Sequence, residues 1–398
     1  MCNVSADKPA KASTLKKLVF LEVEALAGLC LMLLLTTAPA AGEIKLSGYY
    51  KNLLVNSKTL PLFGPSESYF LDLNRLRLKL TGDLSNSVTF DIQYDNEVLF
   101  GNYLDTTEFS SLLKNRQPDS YFDLDGNYVD NSKLYGKHSL YRVYIDVSLA
   151  EVDLKFGRQR IAWGAAMLWN PMDILNPFNP IQLERQEREG IDAVLMDWDY
   201  NALSRVTFVY AKQQRSESRA VRWRSNQQGF DLSLMAGRFR GDTVVGFDFA
   251  GQVKVIGVRG EITQTNPVNR AGYIRAVVGA DYTFVNSLSL NIEMYYNGQG
   301  TSDPLGYEFN RLLSGELLSL ARRCLGGYLG YDITPLLRWD NYLIINLDDN
   351  SVFFSPSLIY SLTENVEGRL GIQAFDGDSG SEYGTLEDQY FVQLQWFY

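Results

Sequence analysis

The segment YFVQLQWFY, Tyr390–Tyr398, alternates strictly. One set of positions carries Tyr390, Val392, Leu394, Trp396 and Tyr398; the other carries Phe391, Gln393, Gln395 and Phe397. Successive side chains of a strand point to opposite faces, so this is a strand with one wholly apolar face and rings at its ends. Two architectures use such a strand. A soluble β-sandwich turns the apolar face inward, whereas a membrane barrel turns it toward lipid and keeps the other face on a wet lumen.

The body of the chain repeats the pattern. In SVTFDIQYDNE, from Ser87, Val88, Phe90, Ile92 and Tyr94 oppose Thr89, Asp91, Gln93 and Asp95. YRVYIDVSL (from Tyr141), GYIRAVVGADYTF (from Gly272), SLSLNIEMYYN (from Ser287) and NVEGRLGIQA (from Asn365) alternate likewise. Soluble strands run about five to six residues, and a tilted membrane strand needs about 9–11. These strands are long, and their polar face is charged. Tight connections near residues 82–86, 150, 200–203, 286, 334–335 and 363–364 alternate with long polar ones at 98–137, 163–189, 213–227 and 298–322. That asymmetry is the signature of short periplasmic turns and long outer loops.

The expected fold is therefore all-β, a transmembrane antiparallel up-and-down barrel. A first count gives about 17 strands, which would put the chain ends on opposite sides of the membrane. Reading TVVGFDFAGQVKVIGVRGEITQT, from Thr243, as one strand restores an even count, so about 16 strands are expected, within 14 to 18. The segment from Tyr390 closes against EIKLSGYYKNLLV, from Glu43, so that no sheet edge is left in lipid.

Residues 1–40 read as a secretory signal: a basic start with Lys8, Lys11, Lys16 and Lys17, the apolar run Ala25–Leu35, and Ala38-Pro39-Ala40 for cleavage. Residues 41–398 then form a single barrel domain. The formal net charge is -10, and Lys and Arg are scattered, so no nucleic-acid partner is indicated. Of three cysteines only Cys324 lies beyond the signal, which leaves no intramolecular disulfide.

One segment breaks the alternation: FGRQRIAWGAAMLWNPMDILNPFNPIQLERQEREG, from Phe156. Asn170-Pro171, Asn176-Pro177 and Asn179-Pro180 impose turns or extended backbone, because each proline bars the helical region to the residue before it. Trp169, Met172, Ile174, Leu175 and Phe178 give the loop more apolar mass than a free loop carries. A loop with Trp169, Asn170, Pro171, Asp173, Asn176, Pro177, Asn179 and Pro180 at these places either folds inward and narrows the pore or packs rigidly at the rim. The polar faces supply a candidate pore lining: Arg75, Arg77, Lys79, Asp91, Asp95, Arg142, Asp146, Arg158, Arg160, Arg275, Asp281, Glu293 and Arg369. Facing basic and acidic ladders set a transverse field that tunes ion selectivity; the same charges can instead only brace the wall as salt bridges.

The GRQ, the WG pair and WNP-x-D-x-x-NP, set between long barrel strands, resemble a family of proteobacterial outer-membrane porin-like proteins, similar in pattern to alginate-export barrels. Some barrels of this kind sheathe multihaem cytochromes. The resemblance implies passage of solutes, or housing of a partner such as a periplasmic cytochrome, across a Gram-negative outer membrane. The terminal aromatic of Tyr390–Tyr398 resembles the signal by which the barrel-assembly machinery recognises its clients.

Catalysis finds little support. His138 is the only histidine, and Ser139 beside it points to the opposite face, so a hydrolytic Ser–His pair is poorly placed. There is no CxxCH for covalent haem, and one histidine supplies neither bis-His haem nor a zinc site. Asp348-Asp349 and Asp123-x-Asp125 read as solvated loop charge. The expectation is a passive channel without cofactor or metal, selecting small solutes by width and charge, with a cytochrome sheath as the rival reading and an outer-membrane hydrolase a distant third.

Overall fold

The computed structural model describes residues 42–114, 119–177, 179–184, 188–313 and 315–398. Residues 1–40, expected as a signal, Phe178 and residues 185–187 of the charged run lie outside the described residues.

Among the described residues nineteen strands follow one another. The first part of the chain forms β1 (Lys45–Lys58), β2 (Ser68–Ser85), β3 (Val88–Phe100), β4 (Asp125–Asn131), β5 (Leu134–Leu149) and β6 (Val152–Gln159). The middle forms β7 (Ile191–Asn201), β8 (Ser204–Lys212), β9 (Glu217–Gln227), β10 (Phe230–Phe239), β11 (Asp242–Val253), β12 (Ile256–Asn266) and β13 (Tyr273–Thr283). The last part forms β14 (Ser289–Asn297), β15 (Arg323–Thr334), β16 (Leu337–Asn346), β17 (Val352–Thr363), β18 (Val366–Asp376) and β19 (Gln389–Phe397). Eighteen of them, all but β4, close into an antiparallel barrel. The seam is β1 against β19, running from Tyr49 opposite Phe397 to Asn56 opposite Tyr390. Closure pairs both edges of these eighteen strands, which is what a sheet in lipid requires.

The barrel has two unlike ends. At one end the strands of each hairpin are joined by turns of a few residues, as between β5 and β6 or β17 and β18. At the other end stand the segments 59–67, 101–133, 160–190, 298–322 and 377–388. Large apolar side chains cover the outward face: Val278 is 58% exposed, Ile292 60% and Val392 54%. Among the described residues no helix is long and apolar enough to cross a membrane; the spanning is done by strands.

Four expectations are corrected here. The barrel has 18 strands rather than about 16. Residues 213–227 are not an outer loop: β9 occupies most of them and leaves only 213–216 between strands. Its sequence hides the alternation, because Arg219 stands on the outward face while Arg222 and Arg224 stand on the inward one. The segment from Thr243 is two strands, β11 and β12, joined at Lys254-Val255. Lys254 adopts a left-handed φ of 58°, and no Gly, Pro or Asn marks the turn, so the apolar alternation of β11 carries straight into Val255. The long connection placed at 98–137 also contains structure: β3 extends to Phe100, and β4 forms a hairpin with the start of β5.

β4 pairs only with β5, along the same edge that β6 uses farther down. It therefore stands outside the closed cylinder and extends the wall at its outer end.

Candidate functional site

The interior is not an empty tube. Segment 160–190 leaves β6 and crosses the lumen to the opposite wall. There, two wall carboxylates receive its backbone. Glu261 on β12 accepts hydrogen bonds from the N–H groups of Ala165 at 2.6 Å, Ala166 at 2.7 Å and Met172 at 3.0 Å. Glu293 on β14 accepts from Met167 at 2.6 Å, Leu168 at 2.9 Å and Trp169 at 3.3 Å. Ionised carboxylates are acceptor-only, and several converging N–H donors hold them strongly.

The wall is shaped to receive this loop. A Cβ on Gly326 of β15 would come within 2.6 Å of the Trp169 ring, and one on Gly246 of β11 within 2.2 Å of the Met172 sulfur. A Cβ on Gly279 of β13 would meet the Glu293 side chain at 2.7 Å. Trp169, fully buried, stacks on Tyr295 with centroids 5.3 Å apart and planes 8° from parallel. Ile161, Trp163, Met172 and Leu175 bury themselves against inward residues of β7 to β11, such as Ala211 and Met235.

The three Asn-Pro pairs set the path. Asn170 and Pro171 begin a turn closed by the Asp173 N–H on the Asn170 carbonyl at 3.1 Å. The Asn176 side chain accepts from the Ile161 N–H at 2.8 Å and donates to the Glu189 carbonyl at 2.7 Å, tying the two stems of the loop together. Pro177 follows exposed, Asn179 caps the next turn through the Ile181 N–H at 3.1 Å, and Pro180 is buried. Asp173 pairs with Arg188 at 2.8 Å. Farther along, Glu184 reaches β1 and β2, where Lys51 stands 3.0 Å and Arg75 2.7 Å from it. Gln373 of β18 donates to the Ile181 carbonyl at 3.1 Å. The loop thus touches the wall on several sides.

The structure distributes the thirteen charged positions as follows. Arg75, Arg77 and Lys79 of β2 face inward, each beside an acid of β3: Arg75 to Glu97 at 3.0 Å, Arg77 to Asp95 at 2.6 Å, Lys79 to Asp91 at 3.3 Å. The two ladders are neighbours on the wall, so their fields largely cancel locally instead of crossing the pore. Asp146 pairs with Lys155 at 3.1 Å, and Asp281 with Arg259. Arg142, Arg275 and Arg369 also face inward, but among the described residues no carboxylate pairs with them. Arg142 donates to the Arg188 carbonyl at 3.2 Å, Arg275 to the Pro171 carbonyl at 3.4 Å and Arg369 to the Ser357 hydroxyl at 3.1 Å. Arg160 stands exposed just beyond β6, at the foot of the loop.

Arg158 is the exception. Its register opposite Asp192, in line with outward Phe156 and Val194, places it on the outer face. There it bonds Asp192 at 3.1 Å, and the Phe122 carbonyl and Asp125 of the segment around β4 cover it. It does not line the lumen. Asp348 is likewise engaged, by Arg323 at 2.7 Å, and Asp349 by the Tyr307 hydroxyl at 3.0 Å. Among the described residues no group of acids, cysteines or histidine is arranged to hold a metal ion. His138 lies opposite Asn96, with Tyr94 and Tyr128 beside its ring and Ser139 on the other face of the strand.

Sequence reasoning missed Glu261 and Arg259. Both stand on the inward parity of β12, the strand whose start went unseen.

No family model matches this sequence, and no curated protein matches it. Solved structures do. OccK9 (OpdG) of Pseudomonas aeruginosa aligns at a TM-score of 0.59 with 12% identity, over 89% of this chain and 98% of that one. OccAB3 of Acinetobacter baumannii aligns at 0.56 with 11% identity, over 89% and 99%. The outer membrane protein OpdK of Pseudomonas aeruginosa aligns at 0.56 with 11% identity, over 89% and 98%. At such identities the likeness is one of fold: the chain has the porin-like barrel architecture of these outer-membrane proteins along nearly their whole length.

Proposed function

We propose that this protein is a passive diffusion channel of a Gram-negative outer membrane, narrowed by segment 160–190 and selective by width and lumenal charge. The observation that carries the reading is the loop itself. It is fixed inside the barrel, on the lumen-facing side of the wall, by two carboxylates and a stacked tryptophan. A channel that must sieve solutes needs such a rigid constriction. A sheath for a multihaem cytochrome needs the same space free, so the loop argues against that rival and, with it, for small solutes as the cargo. The alginate-export likeness rests on the short loop motif and adds nothing on substrate. An N-terminal signal at 1–40 and recognition of Tyr390–Tyr398 by the assembly machinery fit this location.

The charge balance gives the expected sign. Most inward acids are already engaged by arginine, lysine or backbone N–H groups, whereas Arg142, Arg275 and Arg369 lack a carboxylate partner among the described residues. Uncompensated positive charge raises the local anion concentration in a low-dielectric pore. Single-channel recording of the purified protein in a planar bilayer under a salt gradient tests this. Stable steps with a reversal potential on the anion side support the proposal. Absence of steps from demonstrably folded protein would overturn it.

A further inference from the structure

Glu261 and Glu293 do more than hold a loop. Six backbone N–H groups of residues 165–172 converge on their four oxygens. Among the described residues, every hydrogen-bond donor to these two acids is a backbone N–H of that loop. Glu261 is 3% exposed and Glu293 fully buried, so both are hidden from the passage while the loop is seated.

We propose that Glu261 and Glu293 are positioning residues that set two properties of the channel with one contact: its width, by seating the constriction, and its charge selectivity, because the seated loop masks both carboxylates. This rests on the channel reading above. The glycine recesses at positions 246, 279 and 326 belong to the same device, since they let the loop approach closely enough for its N–H groups to reach the acids. The arrangement separates two variants that a purely structural role would not. Deleting residues 165–176 removes the mask and leaves both carboxylates bare on a wider lumen. Replacing both acids, Glu261→Ala with Glu293→Ala, frees the loop but removes the acids as well.

Both variants are measured in planar bilayers beside the parent protein, after heat-resistant migration on a denaturing gel shows that each barrel is folded. Conductance rises in both. The reversal potential moves toward cations in the deletion and stays at or beyond the parental anion value in the double substitution. A cation shift in the deletion with none in the double substitution supports the proposal. Unchanged conductance in both variants, or reversal potentials that move together, overturns it. If the parent gives no steps, the channel reading fails instead. Should one variant not fold, the other still decides: the deletion by a cation shift or none, the substitution by wider steps or none.

Discussion

Asp173 lies in the middle of the lumenal loop, 2% exposed, with Arg188 at 2.8 Å. Burial raises its pKa to about 7; Arg188 and the Asn176 N–H pull it down only in part. In the unfolded chain the group titrates near the ordinary aspartate value. A carboxyl whose folded pKa is raised stabilises the fold fully below the unfolded pKa, and that contribution is lost as pH rises through the folded value. The loop is therefore held more firmly at pH 4 than at pH 8, with the change spread between about 4 and 7. Cleavage of the loop by added protease at a series of pH values should quicken across that window, and Asp173→Asn should flatten the profile. A profile that Asp173→Asn leaves intact would assign the effect elsewhere. At this scale the sequence was informative where backbone chemistry is local. Asn-Pro pairs announce turns by sterics alone, and alternation places Arg142, Arg275 and Arg369 inward. What one residue meets across the barrel is not local. Glu293 was legible as an inward acid, but its three N–H donors belong to a loop more than a hundred residues away in sequence.

The elements obey period two wherever one face is apolar and the other is not, and those strands were legible. β9 failed because arginine stands on both of its faces, and the β11–β12 turn failed because it uses ordinary residues. The same misreading of parity on β6 put Arg158 in the lumen, although the outer hairpin around β4 is what makes its outward position tolerable. A buried guanidinium needs acceptors, and that segment brings the Phe122 carbonyl and Asp125 to it. The wall glycines also act at this scale. A glycine inside a strand costs about 0.5–1 kcal/mol relative to alanine, so its presence at three recesses has to be offset by what fills them. Gly326→Val would force the Trp169 ring from its seat, and overpacking of this kind costs about 1–3 kcal/mol. The expected outcome is a barrel that still migrates as folded but whose loop is cut faster by protease, with larger or noisier conductance steps. Unaltered cleavage would show that the recess is incidental.

At the scale of the whole molecule the strand count follows from closure. An even number brings both chain ends to the short-turn side and leaves every long segment on the other, which is the arrangement seen. Removing Tyr390–Tyr398 deletes β19 and leaves β1 and β18 with open edges. The expected result is loss of the heat-resistant folded band on a gel, against retention when only an outer segment such as residues 302–306 is shortened. A truncated chain that still folds would mean that the barrel can close on fewer strands.

The seam has a kinetic side. Its contacts, such as Leu54 with Val392, join the two ends of the chain, so the mean sequence separation of the ladder is long where it matters most. Chains ruled by such distant pairings fold slowly, because the entropy of bringing the ends together is spent before any pairing rewards it. Until the final strand arrives, an apolar ribbon with two raw edges is open to pairing with other chains. A protein built this way depends on something to keep it apart from its own copies during transit, and its refolding from denaturant should fall in yield as chain concentration rises.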